Sequence, residues 1–185
     1  MTALVLSLTG AALVLAVLAW VPRSSGSTLE IVISGLMLAC LAAVGVLLLA
    51  GHGVSGWAER WWNVLLLLAG ALAVTGGGPL TTSVLALADR GNTRAQSTQK
   101  AGEVLRGGAL IGALERMAIY ASLVAGWPEG IAVVLAIKGL ARYPELRSPD
   151  QPASVTPQAV AERFIIGTFS SVLWAVACAG LLRSH

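Results

Sequence analysis

Three ionisable residues interrupt the apolar stretches in the second half of this chain. Glu115 and Arg116 lie within the apolar run 104–125, and Lys138 lies within the next run. A charge in hydrocarbon costs about 2.5 to 3.5 kcal/mol on insertion scales. Such residues therefore indicate either an ion pair that fixes helix register or a relay for protons or ions. A coupled pair can do both, so these two interpretations carry equal weight.

The spacing of these charges predicts which of them meet. A turn at 126–128 would fold two helices back on each other, with Glu115 preceding Trp127 by 12 residues and Lys138 following it by 11. At about 1.5 Å per residue, both lie roughly 16 to 18 Å from the turn. We therefore expect Glu115 and Lys138 to pair across the hairpin. Arg116 is offset by about 100° around its helix and needs a different partner.

Further polar residues are expected to support this pair. The same count places Arg106 near Glu145, at the level where the hairpin leaves the membrane. Three hydroxyls of the last helix reach about the depth of Glu115 and could receive the remaining N–H groups of Lys138. The full supporting set is Arg106, Arg142, Glu145, Glu162, Arg163, Thr168, Ser170 and Ser171.

Composition and length place these charges in a helical membrane protein. Of the 185 residues, 56% are hydrophobic and 11% are charged, whereas soluble domains have about 25% charged residues. The apolar runs are continuous, which disfavours barrel strands, and most approach the roughly 20 residues that cross about 30 Å of hydrocarbon. The sequence predicts an all-α polytopic bundle of about six spans, with five spans and a re-entrant segment as the alternative. The predicted spans are 3–21, 29–50, 58–75, 104–125, 128–145 and 161–182.

The distribution of basic residues predicts an orientation. With six spans, one side of the membrane receives most of the arginines and lysines. This side carries Arg23, Arg90, Arg94, Lys100, Arg106, Arg142, Arg147 and Arg163, and the other carries Arg60 and Arg183. Cytoplasmic loops are enriched in such residues, so both termini are expected outside the cell.

A glycine and proline cluster suggests a break after the third span. Gly76, Gly77 and Gly78 precede Pro79, and residues 80–89 would then form a separate short helix. That helix could lie on the inner interface, or the break could line a polar cavity, as in transporters. An ordinary helix end is the third interpretation.

The remaining sequence limits the partners. The polar stretch from Asp89 is expected to face the cytoplasm, where Arg90, Arg94 and Lys100 could hold anionic headgroups at about 1 kcal/mol each. We expect the lipid bilayer as the main partner, with no nucleic acid, no cofactor and no metal.

Small residues recur every four positions in the second span, at Gly35, Ala39 and Ala43. Such a stripe lets another helix approach closely, so we expect tight packing here and allow a protein partner in the membrane.

The C-terminal half resembles an uncharacterised family of bacterial multi-pass inner-membrane proteins. Residues 111–116 match its Ile-Gly-x-Leu-Glu-Arg helix, Lys138 and 142–146 match a lysine helix that runs into an Arg-Tyr-x-Glu-Leu segment, and 166–168 match an Ile-Gly-Thr step. The resemblance covers about residues 106 to 175. It implies a bacterial plasma membrane location and importance for Glu115, Lys138 and Arg142, without naming a reaction.

Three classes of function fit these observations. A structural or accessory subunit needs only close-packing helices and a charge pair. A small ion- or proton-coupled transporter would use the charges and the glycine break. A membrane-embedded enzyme acting on lipid ranks last, because no nucleophile with a base and no catalytic acid pair has suitable spacing.

Overall fold

Every regular element in the described part of the chain is an α-helix. The computed structural model describes residues 2–20, 28–50, 58–89, 108–147 and 157–182. The helices are α1 (Thr2–Leu18), α2 (Thr28–Leu49), α3 (Ala58–Asp89), α4 (Gly108–Val124), α5 (Gly130–Arg147) and α6 (Pro157–Gly180). The all-α prediction is confirmed.

Three of these helices are long and apolar enough to cross a membrane, counted among the residues that the structure describes. They are Thr28–Leu49, Trp61–Asp89 and Ala161–Gly180. Two shorter apolar helices, Ala3–Leu18 and Gly130–Ala141, run beside them. This composition indicates a membrane protein.

Helix α3 lies at the centre of the bundle. It packs against α1, α2, α4 and α6, and its buried face carries Leu65, Ala69 and Leu72. Because Asp89 contacts Arg163 near the start of α6 while earlier residues of α3 contact later residues of α6, these two helices are antiparallel. At about 1.5 Å per residue, the 32 residues of α3 extend roughly 48 Å.

The structure corrects the predicted break in α3, because residues 80–89 continue the same helix through Pro79. Proline has no N–H, so the carbonyl of Thr75 loses its usual donor. The indole N–H of Trp20, which follows α1, donates to that carbonyl at 2.9 Å. In apolar surroundings a chain keeps its helix wherever backbone groups can be satisfied. The prediction of a separate short helix is wrong, and the indole of Trp20 replaces the donor that Pro79 lacks.

The predicted hairpin between α4 and α5 is present. Gly126 has a positive φ of 73°, and the N–H of Trp127 donates to the carbonyl of Ser122 at 2.8 Å. A glycine with positive φ commonly ends an α-helix in this way. Gly130 then starts α5 against Ser122, where a Cβ would lie 2.6 Å from the Cβ of Ser122.

Helix α5 is peripheral. It packs mainly on α4, and its side chains Ile137 and Leu140 are 64% and 76% exposed. The charge of Lys138 therefore lies on the least enclosed helix of the second half.

Candidate functional site

The first element of the candidate site is an ion pair between α4 and α5. The ammonium Nζ of Lys138 contacts the carboxylate Oε2 of Glu115, as the spacing predicts. The side chains are 21% and 15% exposed. The ring of Phe164 on α6 lies beneath the ammonium, 6.0 Å from Nζ to the ring centroid, at cation–π range. The pair therefore joins α4 to α5 and lies against α6.

The second element is Arg116, which points the other way around α4. Its side chain is only 4% exposed. Nε and Nη2 both donate to the carbonyl of Val74 on α3, at 3.1 and 2.8 Å, and Nη1 donates to Oγ of Ser171 on α6 at 3.2 Å. Two successive residues thus connect α4 to different neighbours, as expected for an offset of about 100°.

Glycines make room for the guanidinium and its stem. A Cβ on Gly77 would lie 2.3 Å from Cδ of Arg116, and one on Gly112 would lie 3.2 Å from Nη1. A Cβ on Gly76 would lie 2.6 Å from the ring of Trp174. The predicted break residues therefore form a contact surface within a continuous helix.

Aromatic donors from other helices also bind backbone carbonyls of α3. The Tyr120 hydroxyl on α4 donates to the carbonyl of Leu66 at 2.7 Å. The Trp174 indole N–H on α6 donates to the carbonyl of Leu72 at 3.1 Å. The sequence analysis predicted neither these two contacts nor the one from Trp20. For Trp20 a signal was available, because Pro79 leaves a carbonyl that needs an external donor.

Hydrogen bonds and an ion pair join the C-terminal part of α3 to α2 and α6. The buried Ser34 of α2 and Ser83 of α3 share a hydrogen bond of 2.9 Å, and the Thr82 hydroxyl donates to the Glu30 carboxylate. At the end of α3, a 2.5 Å contact joins the carboxylate of Asp89 to Arg163.

Comparison with protein families, curated proteins and solved structures finds no match for this chain.

The hydroxyls of α6 depart from their predicted role. Ser171 pairs with Arg116 rather than Lys138, because its position on α6 faces α3 and α4. The hydroxyl of Ser170 donates to the carbonyl of Ile166 in its own helix at 2.7 Å. The hydroxyl of Thr168 is buried and has no hydrogen-bond partner in the described part of the chain. None of the three hydrogen-bonds to Lys138.

The other predicted residues divide into two groups. Arg163 pairs with Asp89, whereas Glu162 is exposed. Arg90, Arg94, Lys100 and Arg106 lie outside the described residues, as do the side chains of Arg142 and Glu145.

The surface of the described bundle includes an apolar groove of about 310 Å³ between α2 and α6. Its lining residues are Leu41, Gly45, Leu48, Leu49, Ala177, Gly180 and Leu181. No three histidine, cysteine or acidic residues of the described ranges are grouped as metal ligands.

Proposed function

We propose that this chain is a multi-pass protein of the bacterial plasma membrane, with six spans and both termini outside, that acts as a structural or accessory subunit of a membrane assembly. The three long apolar helices support membrane placement. The short helix α1 packs against the long helices α2 and α3, which supports the proposal that α1 crosses the membrane beside them. The resemblance of the C-terminal half to a bacterial inner-membrane family supports the location.

The observation that carries the proposal is that the charges within the helices contact neighbouring helices of the same chain. Lys138 contacts Glu115 across the hairpin, and Arg116 holds α3 through the carbonyl of Val74. Such contacts need not add net stability, but removal of one partner leaves an uncompensated charge. Their arrangement suits the fixing of helix register.

An outward-facing stripe supports the accessory role. Gly35, Ala39 and Ala43 lie on the exposed side of α2, and a Cβ on Gly35 would have no atom within 4 Å. The expected tight packing is therefore not made within the described part of this chain. Small residues at four-residue spacing permit close approach of a helix from another protein.

Purification of the tagged full-length protein in mild detergent tests this role. We expect a membrane protein to co-purify at constant ratio, to be lost with Ala39→Leu, and to be retained with the control Ala11→Leu on the exposed side of α1. Wild-type protein that always runs alone would refute an accessory role. Equal effects of the two variants would exclude the α2 stripe as the contact.

A second candidate is ion- or proton-coupled transport, which the partial exposure of the Glu115–Lys138 pair favours. Its test is proton flux in vesicles containing the purified protein. If Glu115→Gln abolishes a flux seen with wild type while folded yield is unchanged, transport replaces the accessory role. If no flux is seen with wild type, transport is excluded.

A further inference from the structure

The charges around α4 do not balance. The carboxylate of Glu115 contacts Lys138, which neutralises that pair. Arg116 is 4% exposed, and its described contacts are a carbonyl and a hydroxyl rather than a carboxylate. One positive charge is therefore left in excess inside the described bundle, where an uncompensated ion is costly.

Hydrogen-bond donors are also in excess at this point. A guanidinium has five N–H groups. Three of those in Arg116 donate to Val74 and Ser171, so two donate to no acceptor in the described ranges. The Ser171 hydroxyl accepts from Arg116, and its own proton has no described acceptor. Thr168 adds a hydroxyl that is 7% exposed and lacks a partner among the described residues.

These donors lie on two helices that run in the same direction and meet at the contact between Arg116 and Ser171. Both α4 and α6 are antiparallel to α3, since Arg116 and Ser171 meet near Val74 while Tyr120 and Trp174, farther along, contact earlier residues of α3. Thr168 precedes Ser171 by one turn on α6, and Gly112 precedes Arg116 by one turn on α4. Nη1 of Arg116 faces Gly112, which has no side chain to cover it.

We propose that Arg116, Thr168 and Ser171 bind a small monovalent anion, a halide, between α4 and α6. A halide carries no protons, so it can accept hydrogen bonds from surplus N–H and O–H groups, and it neutralises the excess charge. A water molecule can hydrogen-bond to these groups, since the hydroxyl oxygens also accept, but it would leave the charge of Arg116 uncompensated. A cation would be repelled by the guanidinium. The halide site is independent of the accessory role, and either can fail without the other.

Thermal unfolding of the full-length protein in detergent tests the site. At constant ionic strength, we expect the melting temperature to rise and saturate as chloride replaces gluconate, because a ligand that binds the folded state stabilises it. Thr168→Val keeps the shape and removes one donor, so its midpoint should move to about tenfold higher chloride. The matched control is Ser170→Ala, whose hydroxyl is used within its own helix, and it should keep the wild-type midpoint.

Direct binding to the wild-type protein removes any dependence on folding of the variants. In nuclear magnetic resonance, we expect the chloride or bromide line to broaden when folded protein is present and not when the protein is unfolded. Addition of the other halide should reverse the broadening. Absence of specific broadening overturns the site, as do equal melting curves in chloride and gluconate. A Thr168→Val variant that matches Ser170→Ala in its chloride dependence also overturns it.

Discussion

At the residue scale, the adjacent charges of α4 differ in both partner and exposure. Glu115 faces α5 and its side chain is 15% exposed, whereas Arg116 is buried between α3 and α6. Mutations at the two positions should therefore have different consequences.

The Glu115–Lys138 contact predicts coupled mutational effects. Loss of one partner from a buried pair costs about 3 to 5 kcal/mol, because the remaining charge is left uncompensated. Glu115→Gln and Lys138→Met should each lower the melting temperature in detergent. The double replacement should be more stable than either single one. Additive losses would show that the contact has no energetic coupling.

The packing of Arg116 predicts strong sensitivity at Gly77. A Cβ there would lie 2.3 Å from Cδ of Arg116, so Gly77→Ala should destabilise the bundle by about 1 to 3 kcal/mol through overpacking. Gly35→Ala is the matched control, since nothing lies within 4 Å of its Cβ position. Thermal unfolding should show a loss for the first variant only. Equal behaviour would mean that Arg116 adjusts without cost.

At the element scale, α3 is held by side chains from its neighbours. Donors from three helices or their ends reach its carbonyls, and the glycines at 76–78 let these donors approach. A proline inside an isolated helix would cost about 3 kcal/mol. The external donors offset part of that cost, so the continuity of α3 depends on the rest of the bundle.

The link between Trp20 and Pro79 predicts a dependence of one mutation on the other. Trp20→Phe keeps an aromatic ring but removes the indole N–H, leaving the Thr75 carbonyl without that donor at a cost of about 1 to 3 kcal/mol. Pro79→Ala restores a backbone N–H for the same carbonyl. In the Pro79→Ala background, Trp20→Phe should therefore cost at least about 1 kcal/mol less.

Melting temperatures of the two single variants and the double variant measure this difference. Trp61→Phe, on the exposed surface of α3, serves as the control and should be near neutral in both backgrounds. If Trp20→Phe costs the same in both backgrounds, the indole N–H of Trp20 does not replace the backbone N–H that Pro79 lacks.

At the scale of the whole molecule, the proposed six spans predict which loops can be reached from outside. In a background without Cys40 and Cys178, a membrane-impermeant thiol reagent should label His52→Cys in intact cells and leave Ser24→Cys unlabelled. After the membrane is opened, both should react. Labelling of Ser24→Cys in intact cells would contradict the proposed orientation.

The sequence by itself determined the helical class, the hairpin and the pairing of Glu115 with Lys138. These features follow from local quantities: apolar run length, the conformational freedom of Gly126, and the fixed rise of a helix. It also indicated that Arg116 needed a separate partner. That inference required only the angular offset between successive residues.

The tertiary structure alone decided where Arg116 binds, why α3 stays continuous at Pro79, and that Ser171 serves Arg116 rather than Lys138. Each of these contacts joins residues at least 42 positions apart. A proline reads locally as a helix breaker because its own segment lacks a donor, and only a distant indole supplies one. Side-chain donors that satisfy a backbone carbonyl across helices leave no periodic pattern in the chain, so packing had to reveal them.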